Sequence, residues 1–235
     1  MVYPVAPFKS ERRCLMPAPA IPILFQDARL VILDKPAGLP VHPGPRGGAS
    51  VEDCFPELSR RKDGPWLAHR LDADTSGCLV VALRRAALLD AQAAFAAGRV
   101  EKTYWAVVRG RPAEASGRIE APLIKRSGKA GWRMLVDPAG QPAVSDWRVL
   151  GAGDGIAWLE VQPRTGRTHQ VRAHCAALGC PVLGDPVYGM PDAKPLHLLA
   201  RAIVLPLDPP AAATAPVPSH MRSALMACGW NGDLR

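Results

Sequence analysis

Short apolar runs separated by turn residues dominate the chain, and most have the length and β-branched content of strands rather than helices. Ile23-Leu24-Phe25 and Leu30-Val31-Ile32-Leu33 flank the polar Gln26 to Arg29, a strand–turn–strand pattern. Asp34 to Gly38 follows as a loop stiffened by Pro36 and freed by Gly38, and Leu39 to Pro43 carries too much proline for a central strand. Gly44 to Asp63 reads as a mobile loop with a short helix near Val51 to Leu58. The unbroken apolar residues from Cys78 to Leu83 predict a buried strand over 77–83.

Arg84 to Ala97 is alanine-rich with Leu88, Ala91 and Phe95 at helical spacing, a solvated Arg84-Arg85 start, and Gly98 as its stop. Lys102 to Val108 alternates and is β-branched or aromatic, a strand ended by Gly110. Between Pro112 and Ala143 the sequence is turn-rich, with short strands expected at 117–121 and 132–136. Ser145 to Leu150 and Ile156 to Gln162 predict a hairpin around the glycines at 151–155. Thr168 can cap a helix carrying Val171, Cys175 and Leu178 on one face, with Gly179 at its end. Pro181 to Met190 is loop-like, and Leu196 to Leu205 is the last apolar run. Five prolines before Ile23 predict an irregular arm over 1–22, and the Pro- and Ala-rich residues 206–235 predict a loosely packed tail. Trp105, Trp132, Trp147 and Trp158 are expected to pack in the core or on the sheet.

Composition narrows the class of protein. With 48% hydrophobic and 21% charged residues, the chain reads as globular, without the roughly 20-residue apolar run of a membrane span. With no secretory signal at its start, it is expected in the cytoplasm, as a monomer. Six cysteines lack CxxC spacing and read as buried thiols; Cys175 and Cys180 lie near His169 and His174, but the spacing fits no zinc pattern. The net charge is +8, and from Arg99 to Arg133 there are nine Lys/Arg against three Glu. That surplus favours a polyanionic partner, and equally fits a solvated basic face.

The candidate chemistry lies in Ala68 to Leu83, where Arg70, Asp72, Asp74, Thr75 and Ser76 stand directly ahead of the buried strand. A carboxylate acting as nucleophile or base needs a cation beside it in a partly dry site, and Arg70, Arg167 and Arg172 are the candidates. Taken alone, such a pair is more often structural than catalytic. Asp72-Ala73-Asp74-Thr75 also fits the DxDxT of magnesium-dependent aspartyl-phosphate phosphohydrolases, but there the apolar strand precedes the motif and here it follows.

His69-Arg70-Leu71-Asp72-Ala73-Asp74-Thr75-Ser76-Gly77 resembles the HRLDxxTSG signature of RluA-type RNA pseudouridine synthases. Further segments resemble that family in the same order. They are Asp34 to Leu39 (the KPxG loop), Lys102 to Gly110 (the tyrosine motif), Gly166 to His174 (GRTHQxRxH) and Leu183 to Gly189 (LGDxxYG). The resemblance spans about 23–205 and implies an α+β catalytic domain there, with a mixed, largely antiparallel sheet and flanking helices. It implies that Asp72 is the catalytic aspartate, that Tyr104 stacks near the target uracil and handles a proton, and that Arg172 keeps Asp72 ionised. Leu198 or Leu196 would form the apolar wall, Arg70 would fill the gap left by a flipped uridine, and neither cofactor nor metal is needed. RNA, either tRNA or rRNA, is the implied partner, with Lys102, Lys125, Arg126, Lys129, Arg164 and Arg167 as the binding surface. His69 and His169 are expected to be structural, and Asp74 to shape the loop by accepting hydrogen bonds. The competing expectation is an RNA-binding protein without catalysis.

Overall fold

A computed structural model describes residues 21–44, 47–128, 131–190 and 194–232. In chain order the elements are β1 (Ile23–Gln26), β2 (Leu30–Lys35), a 3-10 turn (Val51–Cys54) running into α1 (Phe55–Leu58), β3 (Trp66–Leu67), β4 (Ser76–Ala82), α2 (Arg85–Ala96), β5 (Glu101–Arg109) and β6 (Ser116–Glu120). The second half comprises β7 (Leu123–Gly128), β8 (Gly131–Val136), β9 (Val144–Gly153), β10 (Ile156–Pro163), α3 (Gln170–Ala177), β11 (Leu198–Leu205), β12 (Ala211–Thr214) and α4 (Ser219–Ala227). Ten strands form one sheet with the path β1-β2-β4-β11-β5-β10-β9-β6, β3 pairing with β4 and β12 with β11. Among the described strands only β4 and β11 pair in parallel. The fold is therefore α+β with a largely antiparallel sheet.

The central strands explain where the site can stand. β4 is buried at every position, which is why it reads as an unbroken apolar run rather than an alternation. The parallel contact with β11 is made at its first two residues, Ser76 to Leu199 and Gly77 to Ala200. Gly77 has φ +106, and a Cβ there would run into the Ala200 carbonyl, so only glycine lets β11 come this close. The loop that ends in Gly77 is thus fixed against two strands from distant parts of the chain. The β9–β10 hairpin turns through Asp154 and Gly155, both at positive φ, as a two-residue connection of the type that matches strand twist.

Three expectations are corrected. The described part of the tail expected over 206–235, residues 206–232, is not loose: β12 extends the sheet, and Ala211, Ala215, Val217, Met221, Leu225, Cys228 and Trp230 are buried in the main core. Met221, Leu225 and Cys228 repeat at helical spacing, and Gly151 and Gly153 on β9 leave room for the carbonyls of Cys228 and Ala227 at the end of α4. Leu123 to Gly128 is a strand, paired with β8 in a separate two-stranded arm. Both faces of that arm carry polar residues, which hides the alternation. Finally, Thr168 does not cap α3. The cap position is His169, in the left-handed region at φ 52, and the Gln170 carboxamide oxygen accepts from the Arg167 N–H and the Thr165 hydroxyl. The arm expected over 1–22 lies outside the described residues except for Ile21 and Pro22.

Candidate active site

β2 delivers Lys35 to the base of the loop that carries Asp72. Its side chain is fully buried and donates from Nζ to the carbonyls of Pro36 (2.9 Å), Leu39 (2.7 Å) and Ala73 (2.7 Å). Burial pushes this ammonium down to about 8, with the charges of Asp74 and Asp72 working against the shift. The Ala73 carbonyl also accepts from the Gly38 N–H, and the Asp72 carbonyl from the Thr75 N–H. Main-chain carbonyls shape the loop, while the Asp74 side chain expected to do so is exposed. A long cation gathering three carbonyls, together with the Gly38 N–H bond to Ala73, locks the two loops together.

α3 brings Arg172 to Asp72. Arg172 is 3% exposed; its Nε and Nη2 donate to the two carboxylate oxygens of Asp185, each at 2.7 Å, and its Nη1 lies 3.4 Å from Asp72 Oδ2. Burial opposes the Arg172 charge, but Asp185 and then Asp72 hold the guanidinium above its ordinary pKa. Burial would likewise raise Asp185, and its hydrogen bonds from Arg172 hold it below the usual carboxylate range. Asp185 is fully buried and also accepts from the N–H groups of Val187 and Tyr188. The guanidinium is therefore gripped from behind in a planar, bidentate fork and presents its remaining edge to Asp72, which is 24% exposed.

His169 closes this group. Its left-handed backbone turns the imidazole to within 3.7 Å of Asp72 and 3.2 Å of Arg172 Nη1, and Nδ1 lies 3.1 Å from the Tyr188 hydroxyl. Burial, assisted by Arg172 and opposed by Asp72, lowers its pKa, so the ring is neutral at pH 7. His69 is neutral for the same reason: burial, with Lys102 adding, pushes it down to about 4, and Nε2 accepts the Val80 N–H. Both rings are therefore neutral and held by hydrogen bonds within the fold.

A cavity of about 930 Å³ opens over these groups, and Asp72, Tyr104, Arg172 and Leu198 all line it. Tyr104 stands on β5 opposite Ala200 of β11, and burial, then the Asp72 charge, hold its hydroxyl protonated well above the usual tyrosine range. Leu198, rather than the core residue Leu196, faces the cavity. Lys102 lies two positions before Tyr104, donates to the Thr165 carbonyl at 3.0 Å, and is pushed down to about 8 by burial. The space suits a nucleoside-sized ligand.

The basic residues divide into two groups. Arg70, Lys102, Arg164 and Arg167 line the same cavity. Arg164 is oriented by Asp146 (2.6 Å), and Arg167 by the Pro142 carbonyl (3.0 Å). Lys125 and Arg126 stand instead on the β7–β8 arm, and Lys129 lies outside the described residues. Cys175 and Cys180 are buried thiols as expected, and both ring nitrogens of His174 are engaged, by Ser145 and the Ala121 carbonyl. Asp72 precedes β4, the reverse of the order a DxDxT phosphohydrolase requires. Sequence reasoning missed Asp185 and Tyr188 as members of the site, although both stand in the segment Leu183 to Gly189. It also misjudged Trp132: Trp105, Trp147 and Trp158 are buried, but Trp132 is 41% exposed beside His169.

A mixed, mainly antiparallel sheet whose central cleft holds an aspartate gripped by a buried arginine defines the class, and residues 29–177 match the model of the family described as RNA pseudouridylate synthase. The chain belongs to that family. It is 43% identical over 163 residues to an uncharacterized RNA pseudouridine synthase of Zymomonas mobilis, covering 68% of this chain and 74% of that protein. It is 36% identical over 157 residues to the ribosomal large subunit pseudouridine synthase C of Vibrio cholerae, covering 67% of this chain and 49% of that one. Among solved structures it resembles human RNA pseudouridylate synthase domain containing 4, with a TM-score of 0.75, 28% identity, and coverage of 88% of this chain and 92% of that one.

Proposed function

We propose that this chain isomerises uridine to pseudouridine in structured RNA, with Asp72 as the reacting carboxylate. The observation that carries this reading is the placement of Asp72 in the basic cavity, against Arg172 on one side and sharing the space with Tyr104. In the reaction the bond from uracil N1 to the sugar breaks, the base turns, and C5 bonds to the same sugar carbon. The proton leaving C5 is matched by one gained at N1, so no redox partner or energy source enters. Asp72 acts at the sugar or the base, Arg172 fixes its carboxylate in place, and the protonated Tyr104 hydroxyl supplies or relays a proton beside the uracil. Leu198 gives the base an apolar wall.

Taking a base out of its stack costs a few kcal/mol, and Arg70, Lys102, Arg164 and Arg167 around the mouth are suited to offset it through phosphates and by occupying the vacated stack. Ribosomal RNA is the favoured class, because curated relatives are named for the large subunit, with tRNA as the other candidate. The enzyme works as a cytoplasmic monomer, and the chemistry asks for neither metal nor cofactor. The test compares pseudouridine positions in rRNA and tRNA from cells with and without the gene, followed by reaction of the purified protein, in EDTA, with RNA from the deleted strain. Loss of at least one position, restored in vitro, is expected. An unchanged map together with RNA binding would favour a binding protein without catalysis.

A further inference from the structure

Trp132 occupies a costly place for an indole. It lies on the β7–β8 arm, directly across from Ser127, and is 41% exposed while Met134, two residues on and on the same face, is buried. Its ring faces His169 at 4.8 Å between centroids with 31° between planes, and His169 is itself 3.7 Å from Asp72. One imidazole therefore separates the indole from the carboxylate of the cavity. Lys125 Nζ rests 4.6 Å from the Trp132 centroid, and Arg126 and Arg133 face each other across the other side of the arm. The arm is pinned to the site where the Met134 N–H donates to the Tyr188 hydroxyl at 2.9 Å, the same hydroxyl that contacts His169.

An exposed aromatic ring with a cation beside it, stacked on a histidine that lines the Asp72 cavity, is the arrangement that holds an unpaired base by stacking and its phosphate by charge. A protein partner fits less well, because the Lys125 ammonium and the His169 imidazole stand at the ring, and the exposed Leu135 of the same strand points to the opposite face of the arm. The Lys125 side chain is exposed and long, and an exposed cation–π contact is weaker than a base–aromatic stack, so the ammonium can leave the ring for a phosphate at small cost.

We propose that Trp132 is a stacking platform for one unpaired nucleobase flanking the uridine that enters the Asp72 cavity, with Lys125 passing from the ring to a neighbouring phosphate. This rests on the reading of the site as one that acts on RNA.

The test measures binding of two oligomers of equal length, one of eight uridines and one of eight abasic ribose phosphates, to the full chain and to Trp132→Ala and Trp132→Phe. The full chain should prefer the uridine oligomer. Trp132→Ala should lose roughly tenfold in affinity for it, the usual worth of one such stack, and bind the abasic oligomer as before; Trp132→Phe should keep most of the preference. Unchanged binding of the uridine oligomer by Trp132→Ala overturns the platform. So does an equal loss for both oligomers, which would mark Trp132 as a support for the arm. Failure of the unmodified chain to bind either oligomer would instead count against the RNA reading itself.

Discussion

Replacing Asp185 by Asn tests how the site is held. Asp185 is fully buried, and both of its oxygens take charge-assisted hydrogen bonds at 2.7 Å from a guanidinium that is 3% exposed. Removing its charge leaves Arg172 buried with Asp72 as its nearest remaining counter-charge, at 3.4 Å. Breaking one side of a buried pair costs about 3–5 kcal/mol, because the partner stays desolvated without compensation. In a domain of this size that corresponds to a fall of roughly 6–20 °C in Tm. Replacing Arg172 by Met as well removes the stranded charge, so the double variant should be more stable than Asp185→Asn alone, a strong departure from additivity. Urea and thermal unfolding of the four proteins give the cycle, and single-turnover pseudouridine formation gives the functional arm. There Asp185→Asn should slow the reaction about 10²-fold through a misplaced Arg172. Additive stabilities, or an Asp185→Asn protein with unchanged Tm and rate, would refute the idea that Asp185 anchors the guanidinium.

Further outcomes follow from the site and the core. Tyr104→Phe keeps the ring and removes the hydroxyl that burial holds protonated, so the rate constant should fall by about 10²–10⁴ with RNA affinity retained; an unchanged rate would confine Tyr104 to packing. Leu225→Ala, in a segment that looks dispensable, should cost about 2–5 kcal/mol in urea unfolding, since Leu225 is fully buried in the main core. Lys102 and Lys35 both have folded-state pKa values lowered to about 8, against 10.5 in the unfolded chain, so the unfolded state holds more protons between these values and stability should rise with pH there. As the pH passes through about 8 the unliganded cavity loses the Lys102 charge, while the adjacent His69 stays neutral. RNA affinity should therefore fall from pH 7 to 8.5, and Lys102→Arg should flatten that fall.

Elements that bury one face or both were legible in the sequence, because burial imposes a pattern. The apolar run of β4, the alternation of β5 and the spacing of Leu88, Ala91 and Phe95 in α2 all lie within a residue or two of the structure. The β7–β8 arm was only half legible, since a strand standing off the main sheet has little reason to alternate. The last thirty residues were misjudged because proline and alanine suggest looseness, whereas small residues are what let β12 and α4 pack closely against β11 and β9. In the site, Asp72, Tyr104 and Arg172 could be named from their motifs, but what grips them could not. The Lys35 clamp joins segments 38 residues apart, the Asp185 fork reaches back 13 residues to α3, and the left-handed turn at His169 is a backbone conformation that the residue type does not announce. Trp132 shows the limit of residue type as a guide: tryptophan is usually buried, and its exposure became visible only once the arm was placed.

The most direct test of the central claim is single-turnover conversion of uridine to pseudouridine by Asp72→Asn, which keeps the size of the side chain at the Arg172 contact and removes the reactive carboxylate. With RNA in excess of its binding constant, no product should form on the time scale of the unmodified chain, while RNA affinity stays within a few-fold. Product formed at the unmodified rate would contradict the assignment of Asp72, whatever the fold of the chain.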